Sequence, residues 1–445
     1  MSASQATANK DLVVGLGATG LSVARYLRRT DIDAMFFDSR ETPPGIEELD
    51  EVWPDAEVLL GDVTLPGGIA RIIASPGIAD SHPLLASARR EHVEVVSDIE
   101  LFAREVKSPY VAVTGSNGKS TVTTLLYHMC RAAGRNVLAG GNLGEPALDL
   151  LSYPVPELYV LELSSFQLHR TQTLPADVAV LLNVSPDHLD WHVDEAEYRE
   201  SKYRIYREAE AAVINRADPE ALKHTSHCKK VISFGADAPA DKQYGLRTED
   251  GETYLARGDS LLISTKDLAM YGVHNQLNSL AALAAGDLIG LDMSSMLQVL
   301  AEFPGLPHRM QFVARIAAVD YINDSKATNV AAAVASVNSV DSMLVLVAGG
   351  DGKGGDFSEL ADALDGKLRG AVLIGKDAEK IALALDTVMP VHFAKHMSDA
   401  VRMAAACAES DDTVLLAPAC ASLDQFKNYM ARGDAFCEAV RALQR

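Results

Sequence analysis

Basic residues are scarce in this 445-residue chain: 40 Lys and Arg stand against 61 Asp and Glu, a formal net charge of −21. Proteins that hold nucleic acid or anionic membranes through general charge present basic surface, so both classes are excluded as main partners. Any anionic ligand must then be gripped by local positive groups. Cysteines are also few. Cys130, Cys228, Cys407, Cys420 and Cys437 are odd in number, scattered and free of CxxC spacing. That excludes a zinc or disulfide framework and suits a reducing cytosol. No apolar run approaches the ~20 residues a membrane span needs, and the start MSASQATANKDLVVG lacks the basic-then-apolar pattern of a signal peptide. We therefore expect a cytoplasmic protein with no membrane insertion and no nucleic-acid partner.

What is present is material for buried cores: 48% of residues are apolar and 23% charged. Short apolar runs alternate with helical patterns in three successive segments, and such alternation predicts α/β domains with parallel sheets. The expected boundaries are 1–98, 99–305 and 306–445, giving Rossmann-like first and third domains around a central P-loop ATPase-type domain. The proline-marked stretch FPGLPHRMQ at 303–311 reads as a hinge.

The stretch VAVTGSNGKSTVTTLLYHM reads as a strand, a phosphate loop and a helix, but Val113 stands where the usual loop has its first glycine. Backbone N–H groups of Gly115, Ser116, Asn117 and Gly118 can converge on phosphate oxygens at a helix N-terminus. Lys119 reaches the outer phosphates and Ser120, followed by Thr121, offers a hydroxyl to Mg²⁺. ATP or a close relative is the expected ligand. Glu162 closes the strand in LYVLELSSFQL, where a carboxylate can orient that metal. A second glycine motif, Gly15, Gly17 and Gly20 with Asp38 ending the next strand, fits a pyrophosphate on a helix N-terminus. Taken alone it suggests NAD, but a UDP-linked compound fits equally well.

The run NVSPDHLDWHVDEAEYRESKY holds a D-x-x-E helix start at Asp194 and Glu197. From the residues alone, Lys202 reads as a surface cation among Glu195, Glu197 and Glu200, and His188 as a loop hydrogen-bonding group. In the third segment DSKATN, GGDGKGGD and PACASLDQFKNY each follow a strand, so all three are expected at the carboxyl edge of one sheet, where open α/β folds bind ligands.

Together these motifs, with His274-Asn275 and Pro307-His308-Arg309, resemble the Mur ligases over nearly the whole chain. The first-domain glycine fingerprint with ELSSFQL, GGDGKG and PACASLDQFKN resembles the branch that adds D-glutamate. Folylpolyglutamate synthetases share the central loop style but are not expected to carry the N-terminal fingerprint. The resemblance implies an ATP-dependent amide ligase joining D-glutamate to UDP-N-acetylmuramoyl-L-alanine through an acyl phosphate in peptidoglycan precursor synthesis, acting as a monomer. It implies a UDP-substrate domain at 1–98, with Gly17, Thr19, Asp38, Ser39, Ser75 and Gly77, joined by Asn142, Ser164, Gln167 and His188. ATP is implied to meet Asn275, Arg309 and Asp324 as well as the phosphate loop. D-glutamate is assigned to Thr328, Lys353, Ser422, Leu423 and Tyr429, although the family pattern has Phe at the last position. Two Mg²⁺ ions are implied, drawing on Ser120, Glu162, His188 and Lys202, with Lys202 carbamylated by CO₂ so that its cation becomes an anion.

Three other readings remain open on sequence alone. They are a nicotinamide dehydrogenase, a P-loop ATPase without ligation, and a sister ligase that adds a different amino acid.

Overall fold

The computed structural model describes residues 10–62, 64–188, 191–270, 272–385 and 389–444. Its three sheets correspond to the three α/β segments. The first contains β1 (Lys10–Val14), β2 (Ala34–Asp38), β3 (Glu57–Leu60), β4 (Ile69–Ala74) and β5 (Glu94–Val96), all parallel in the order β3-β2-β1-β4-β5. Strands β1 and β2 are almost wholly buried, as expected for a parallel sheet covered on both faces.

The second sheet contains β6 (Tyr110–Thr114), β7 (Val137–Gly141), β8 (Leu158–Glu162), β9 (Val178–Leu181), β10 (Ala211–Asn215), β11 (Lys230–Phe234), β12 (Tyr244–Glu249), β13 (Glu252–Arg257) and β14 (Ser260–Ser264). Their order is β14-β13-β12-β11-β10-β9-β6-β8-β7. From β7 to β12 neighbours are parallel, and β12, β13 and β14 form an antiparallel extension. This departs from a purely parallel expectation. Asp250 and Gly251 both take positive φ, +52° and +77°, the conformation of a tight hairpin turn that reverses the chain after β12.

The third sheet contains β15 (Gln311–Ile316), β16 (Val319–Asn323), β17 (Leu344–Gly349), β18 (Leu368–Ile374), β19 (Val391–Phe393) and β20 (Thr413–Leu416), in the order β15-β16-β20-β17-β18-β19. Only β15 runs antiparallel.

By internal contacts the chain forms two compact units. One is Met1–Ser264 with Leu277–Val299, and the other is Thr265–Gln276 with Leu300–Arg445. In the first unit one core runs from Val13, Phe36 and Ile73 through Phe102 to Ala112 and Leu161, so the first two sheets share their apolar interior. The helix Asp98–Glu105 supplies Phe102, whose ring meets Tyr110 and Tyr159 edge-on. In the second unit apolar clusters cover both faces of the third sheet. No helix among the described residues is long and apolar enough to cross a membrane.

Two glycines of the first motif are fixed by geometry. Gly15 has φ +97°, and a Cβ on Gly20 would lie 1.9 Å from the Gly15 carbonyl oxygen. Gly20→Ala should therefore cost about 3 kcal/mol, through forced backbone movement. Gly17→Ala, whose Cβ would meet nothing within 4 Å, should cost no more than about 1 kcal/mol. Urea melts of the two variants check this; equal stabilities would contradict the close approach.

Candidate active site

The phosphate loop leaves β6 at Thr114, whose hydroxyl donates to the Leu163 carbonyl at 2.7 Å. Gly118 caps the helix Lys119–Ala132 at φ +84°, and a Cβ there would fall 2.2 Å from Asn278 Oδ1. That accounts for a glycine at this position. The loop is braced by the next strand's exit. Asn183 Oδ1 accepts from the Asn117 N–H at 2.8 Å, and its Nδ2 donates to the Asn117 carbonyl at 3.0 Å. Ser116 Oγ lies 2.7 Å from the Tyr198 hydroxyl. Lys119 Nζ folds over the loop, donating to the Gly115 and Ser116 carbonyls at 2.8 and 3.0 Å.

Parallel register sets Val113 opposite Glu162, so β8 delivers its terminal carboxylate beside the loop. Glu162 is buried, its Oε1 accepts from Asn142 Nδ2 at 2.7 Å, and its Oε2 has no hydrogen-bond partner among the described residues. A buried anionic oxygen left unpaired is costly unless a cation is to meet it. Hard oxygens from Glu162 and Ser120 are the donor type Mg²⁺ prefers, so the residues present fit that ion.

The reading of Lys202 as a surface cation is overturned. Asp194 caps the helix Glu195–Tyr203 by accepting from the Glu197 N–H, as its D-x-x-E spelling predicts, and this turns Tyr198 and Lys202 inward. Lys202 is 2% exposed, its Nζ donates to the Gly115 carbonyl at 2.9 Å and lies 4.8 Å from the Tyr198 ring centre. Burial first, then the charge of Lys119, pushes its ammonium far below the ordinary lysine value. His188 sits in the loop between β9 and this helix with φ +55°, half-exposed, its ring 4.7 Å from Phe166. The last two residues of its motif, Leu189 and Asp190, lie outside the described residues.

At the carboxyl edge of the first sheet, Gly17 opens the helix Ala18–Arg29. Asp38 accepts from the Leu16 N–H at 2.8 Å and from Arg40, which holds its carboxyl at about 2, below the usual range. Ser75 Oγ donates to the Gly15 carbonyl at 3.1 Å; Thr19, in the first turn of that helix, is half-buried, and Ser39 and Gly77 are exposed. Ser164 and Gln167 form a capping box on the helix Ser165–His169, and Gln167 Nε2 also reaches both oxygens of buried Asp98. Their polar atoms are thus engaged in holding that helix.

In the second unit the three polar loops do share one sheet edge. Asp324 follows β16, its Oδ1 accepting from the Met310 N–H at 3.1 Å while Ser336 donates to its Oδ2. Burial pushes its carboxyl up. The second and third loops pair directly, Asp351 with Ala421, through N–H···O bonds of 3.0 and 2.9 Å. Thr328 is half-buried, Lys353 is exposed with φ +51°, Ser422 is buried and Leu423 is 71% exposed. Tyr429 begins the helix Tyr429–Ala442 and carries Lys326 Nζ 4.3 Å above its ring. Asn275 is buried and Arg309 half-buried.

Sequence reasoning missed the residue beneath these loops. Arg432 is 1% exposed and donates to the Ser325 hydroxyl (3.0 Å) and carbonyl (2.9 Å), to the Cys420 carbonyl (3.0 Å) and to the Gly349 carbonyl (3.4 Å). One guanidinium therefore touches all three loops. The signal was available: Arg432, Phe436 and Val440 share one helical face, and a charge on an apolar stripe calls for buried acceptors.

Comparison with known proteins agrees with this layout. The chain matches the MurD-like Mur ligase N-terminal domain over residues 9–97, the Mur ligase middle domain over 113–286 and the Mur ligase glutamate ligase domain over 308–420. It is 47% identical over 436 residues to UDP-N-acetylmuramoylalanine–D-glutamate ligase of Nitrosococcus oceani, covering 97% of this chain and 96% of that protein. The protein of that name from Legionella pneumophila strain Paris is 46% identical over 442 residues, covering 97% and 99%. Among solved structures, MurF ligase from Thermotoga maritima with ADP aligns at TM-score 0.62 and 19% identity, covering 99% of both chains. UDP-N-acetylmuramate-alanine ligase from the same organism aligns at 0.58 and 18% identity, covering 98% of this chain and 99% of that one. The last two show a shared fold.

Arg432→Lys keeps a cation but loses the planar fork that spans three carbonyls. It should lower stability by about 2–4 kcal/mol and raise amide exchange in 324–329, 349–353 and 418–423. Exchange in 115–120 should stay unchanged. Uniform exchange across both units would contradict the local brace.

Proposed function

The chain belongs to the Mur ligase family, and from that premise we propose that it is the ligase that joins D-glutamate to UDP-N-acetylmuramoyl-L-alanine at the expense of ATP. The reading puts the reaction in the cytoplasm, as a step of peptidoglycan precursor synthesis. The observation that carries it is the buried, half-unpaired Glu162 carboxylate beside a phosphate loop on which Lys119 and Lys202 converge. Such a site favours transfer of charged phosphoryl groups over hydride chemistry.

In this reading a carboxylate oxygen of the UDP substrate bonds to the γ-phosphorus of ATP, the bond to the β–γ bridging oxygen breaks, and ADP leaves. The D-glutamate amine then attacks the acyl phosphate carbonyl, losing a proton as inorganic phosphate departs. With the Ser116 and Asn117 N–H groups held by Asn183, the N–H groups at Gly118 and the helix start orient the phosphates, and Lys119 swings from its loop carbonyls to the transferring group, where its charge offsets what accumulates. The same reading gives Asn275, Arg309 and Asp324 to ATP.

The UDP moiety is assigned to the edge around Gly17, Thr19, Asp38, Ser39, Ser75 and Gly77, where the helix Ala18–Arg29 offers unpaired N–H groups to a pyrophosphate. Asn142, Ser164, Gln167 and His188 are assigned to its reactive end. D-glutamate is assigned to Thr328, Lys353, Ser422, Leu423 and Tyr429. Ser120 and Glu162 would hold one magnesium, and His188 with a carbamate on Lys202 a second; when bound, these ions neutralise charge across the phosphates. The buried Lys202 side chain supports the carbamate, because burial favours the neutral amine that adds to CO₂ and releases a proton.

Phosphate release from ATP with UDP-N-acetylmuramoyl-L-alanine and a panel of amino acids tests the reaction. D-glutamate alone should drive turnover; release with L-alanine or a diamino acid in its place would overturn the assignment. Lys119→Ala should abolish turnover with the fold intact.

Lys202→Arg should lose at least ~100-fold in kcat, as Lys202→Ala does, since neither side chain forms the carbamate. A short carboxylic acid should restore part of the Lys202→Ala rate. Full activity in Lys202→Arg would return that residue to a purely structural role.

A further inference from the structure

Behind the phosphate loop lies a cluster that the ligase reading does not use. His169 ends the helix Ser165–His169, His192 lies in the loop before the next helix, and Glu197 is in the first turn of the helix Glu195–Tyr203. One ring nitrogen from each histidine and one Glu197 oxygen all lie within 4.8 Å of one another. A shared ion about 2 Å from each ligand would draw them together by roughly an ångström or less.

The outer nitrogens are already held. His169 Nε2 lies 3.0 Å from Asp80 Oδ2, and His192 Nε2 lies 3.1 Å from Ser165 Oγ. A carboxylate can only accept, so His169 Nε2 carries the proton and its Nδ1 presents a lone pair. The nearest hydroxyl to that lone pair, Ser201 Oγ at 3.1 Å, donates instead to the Glu197 carbonyl at 2.7 Å. His192 is 2% exposed, and its Nδ1 makes no hydrogen bond among the described residues, with Glu197 Oε2 3.4 Å away. That carboxylate only accepts, so Nδ1 carries the ring proton at rest; moving the proton to Nε2, where Ser165 Oγ can accept it, frees the Nδ1 lone pair for an ion. Phe166, Trp191 and Tyr198 pack around the His192 ring and keep water from it.

We propose that His169, His192 and Glu197 form a binding site for a divalent transition-metal ion, of the zinc, cobalt or nickel class. Two imidazoles and one carboxylate suit these borderline ions, whereas Mg²⁺ prefers oxygen ligands and does not compete well here. Asp80 is the outer carboxylate that fixes the His169 tautomer, an arrangement common around metal-bound histidine. It also pairs with Arg170. The ion would clip the helix Ser165–His169 to the helix that carries Lys202, fixing the phosphate loop's rear wall. The proposal does not depend on the ligase assignment.

The test titrates the untagged full chain with Co²⁺ alone, without nucleotide or magnesium, and follows visible d–d absorption. One saturating Co²⁺ per chain, displaced by Zn²⁺, is expected. His169→Gln and Glu197→Gln keep hydrogen-bonding capacity and should each weaken Co²⁺ binding at least ~tenfold, while His188→Ala should leave it unchanged. Absence of a saturable signal, unaltered binding in both variants, or loss of binding in His188→Ala would each overturn the site. The last outcome would assign the ion to the phosphate-loop region.

Discussion

The Gly115 carbonyl accepts from two lysine side chains, Lys119 at 2.8 Å and Lys202 at 2.9 Å. The buried Lys202 amine is held toward its neutral form by desolvation and by the Lys119 charge beside it, an arrangement that a bound anion relieves. Much of the central domain serves to create it. Strand register brings Glu162 alongside the loop, Gly118 turns the backbone left-handed so that the helix can start, and Asp194 orients the helix that delivers Lys202. In a chain of net charge −21, such a positive pocket is the local grip that an anionic substrate requires.

The three-sheet plan was legible because parallel strands buried on both faces leave unbroken apolar runs such as VAVT and LVLVAG, each followed by a glycine-bearing loop. That pattern also placed the phosphate loop, Glu162 and the three polar loops of the second unit on sheet edges. Lys202 was not legible in the same way. Three glutamates within seven residues of it suggest a solvated face, yet Tyr198 and Lys202 are spaced i, i+4 and share the opposite, inward one. Helix periodicity separates the two faces only when a lysine is allowed as a buried residue. Arg432 was missed for the same reason: a composition-based habit puts guanidinium groups outside. The antiparallel additions were partly readable, since Asp250-Gly251 is a strong hairpin signal. The turn at Ala317 and Ala318 is not, because alanine at φ +50° and +63° is what propensity argues against.

That last turn shows where the fold accepts backbone strain. Two left-handed alanines cost of the order of 1–3 kcal/mol each and are tolerated because β15 must pair with β16 at the sheet's edge. Lys353 and Ala419, also left-handed, lie instead in the polar loops. There the same cost is spent on aiming backbone N–H and C=O groups, and the Asp351–Ala421 bridge keeps the aimed groups in register.

Arg432 holds the three loops almost wholly through backbone carbonyls, with the Ser325 hydroxyl as its one side-chain acceptor among the described residues. Under the proposed assignment of D-glutamate to these loops, scaffold and chemical selectivity are therefore written in different atoms. Side chains at Thr328, Lys353 or Leu423 can be exchanged by mutation without withdrawing any acceptor from the guanidinium. A lineage built on this plan could drift toward a new amino-acid substrate one loop position at a time while every intermediate still folds.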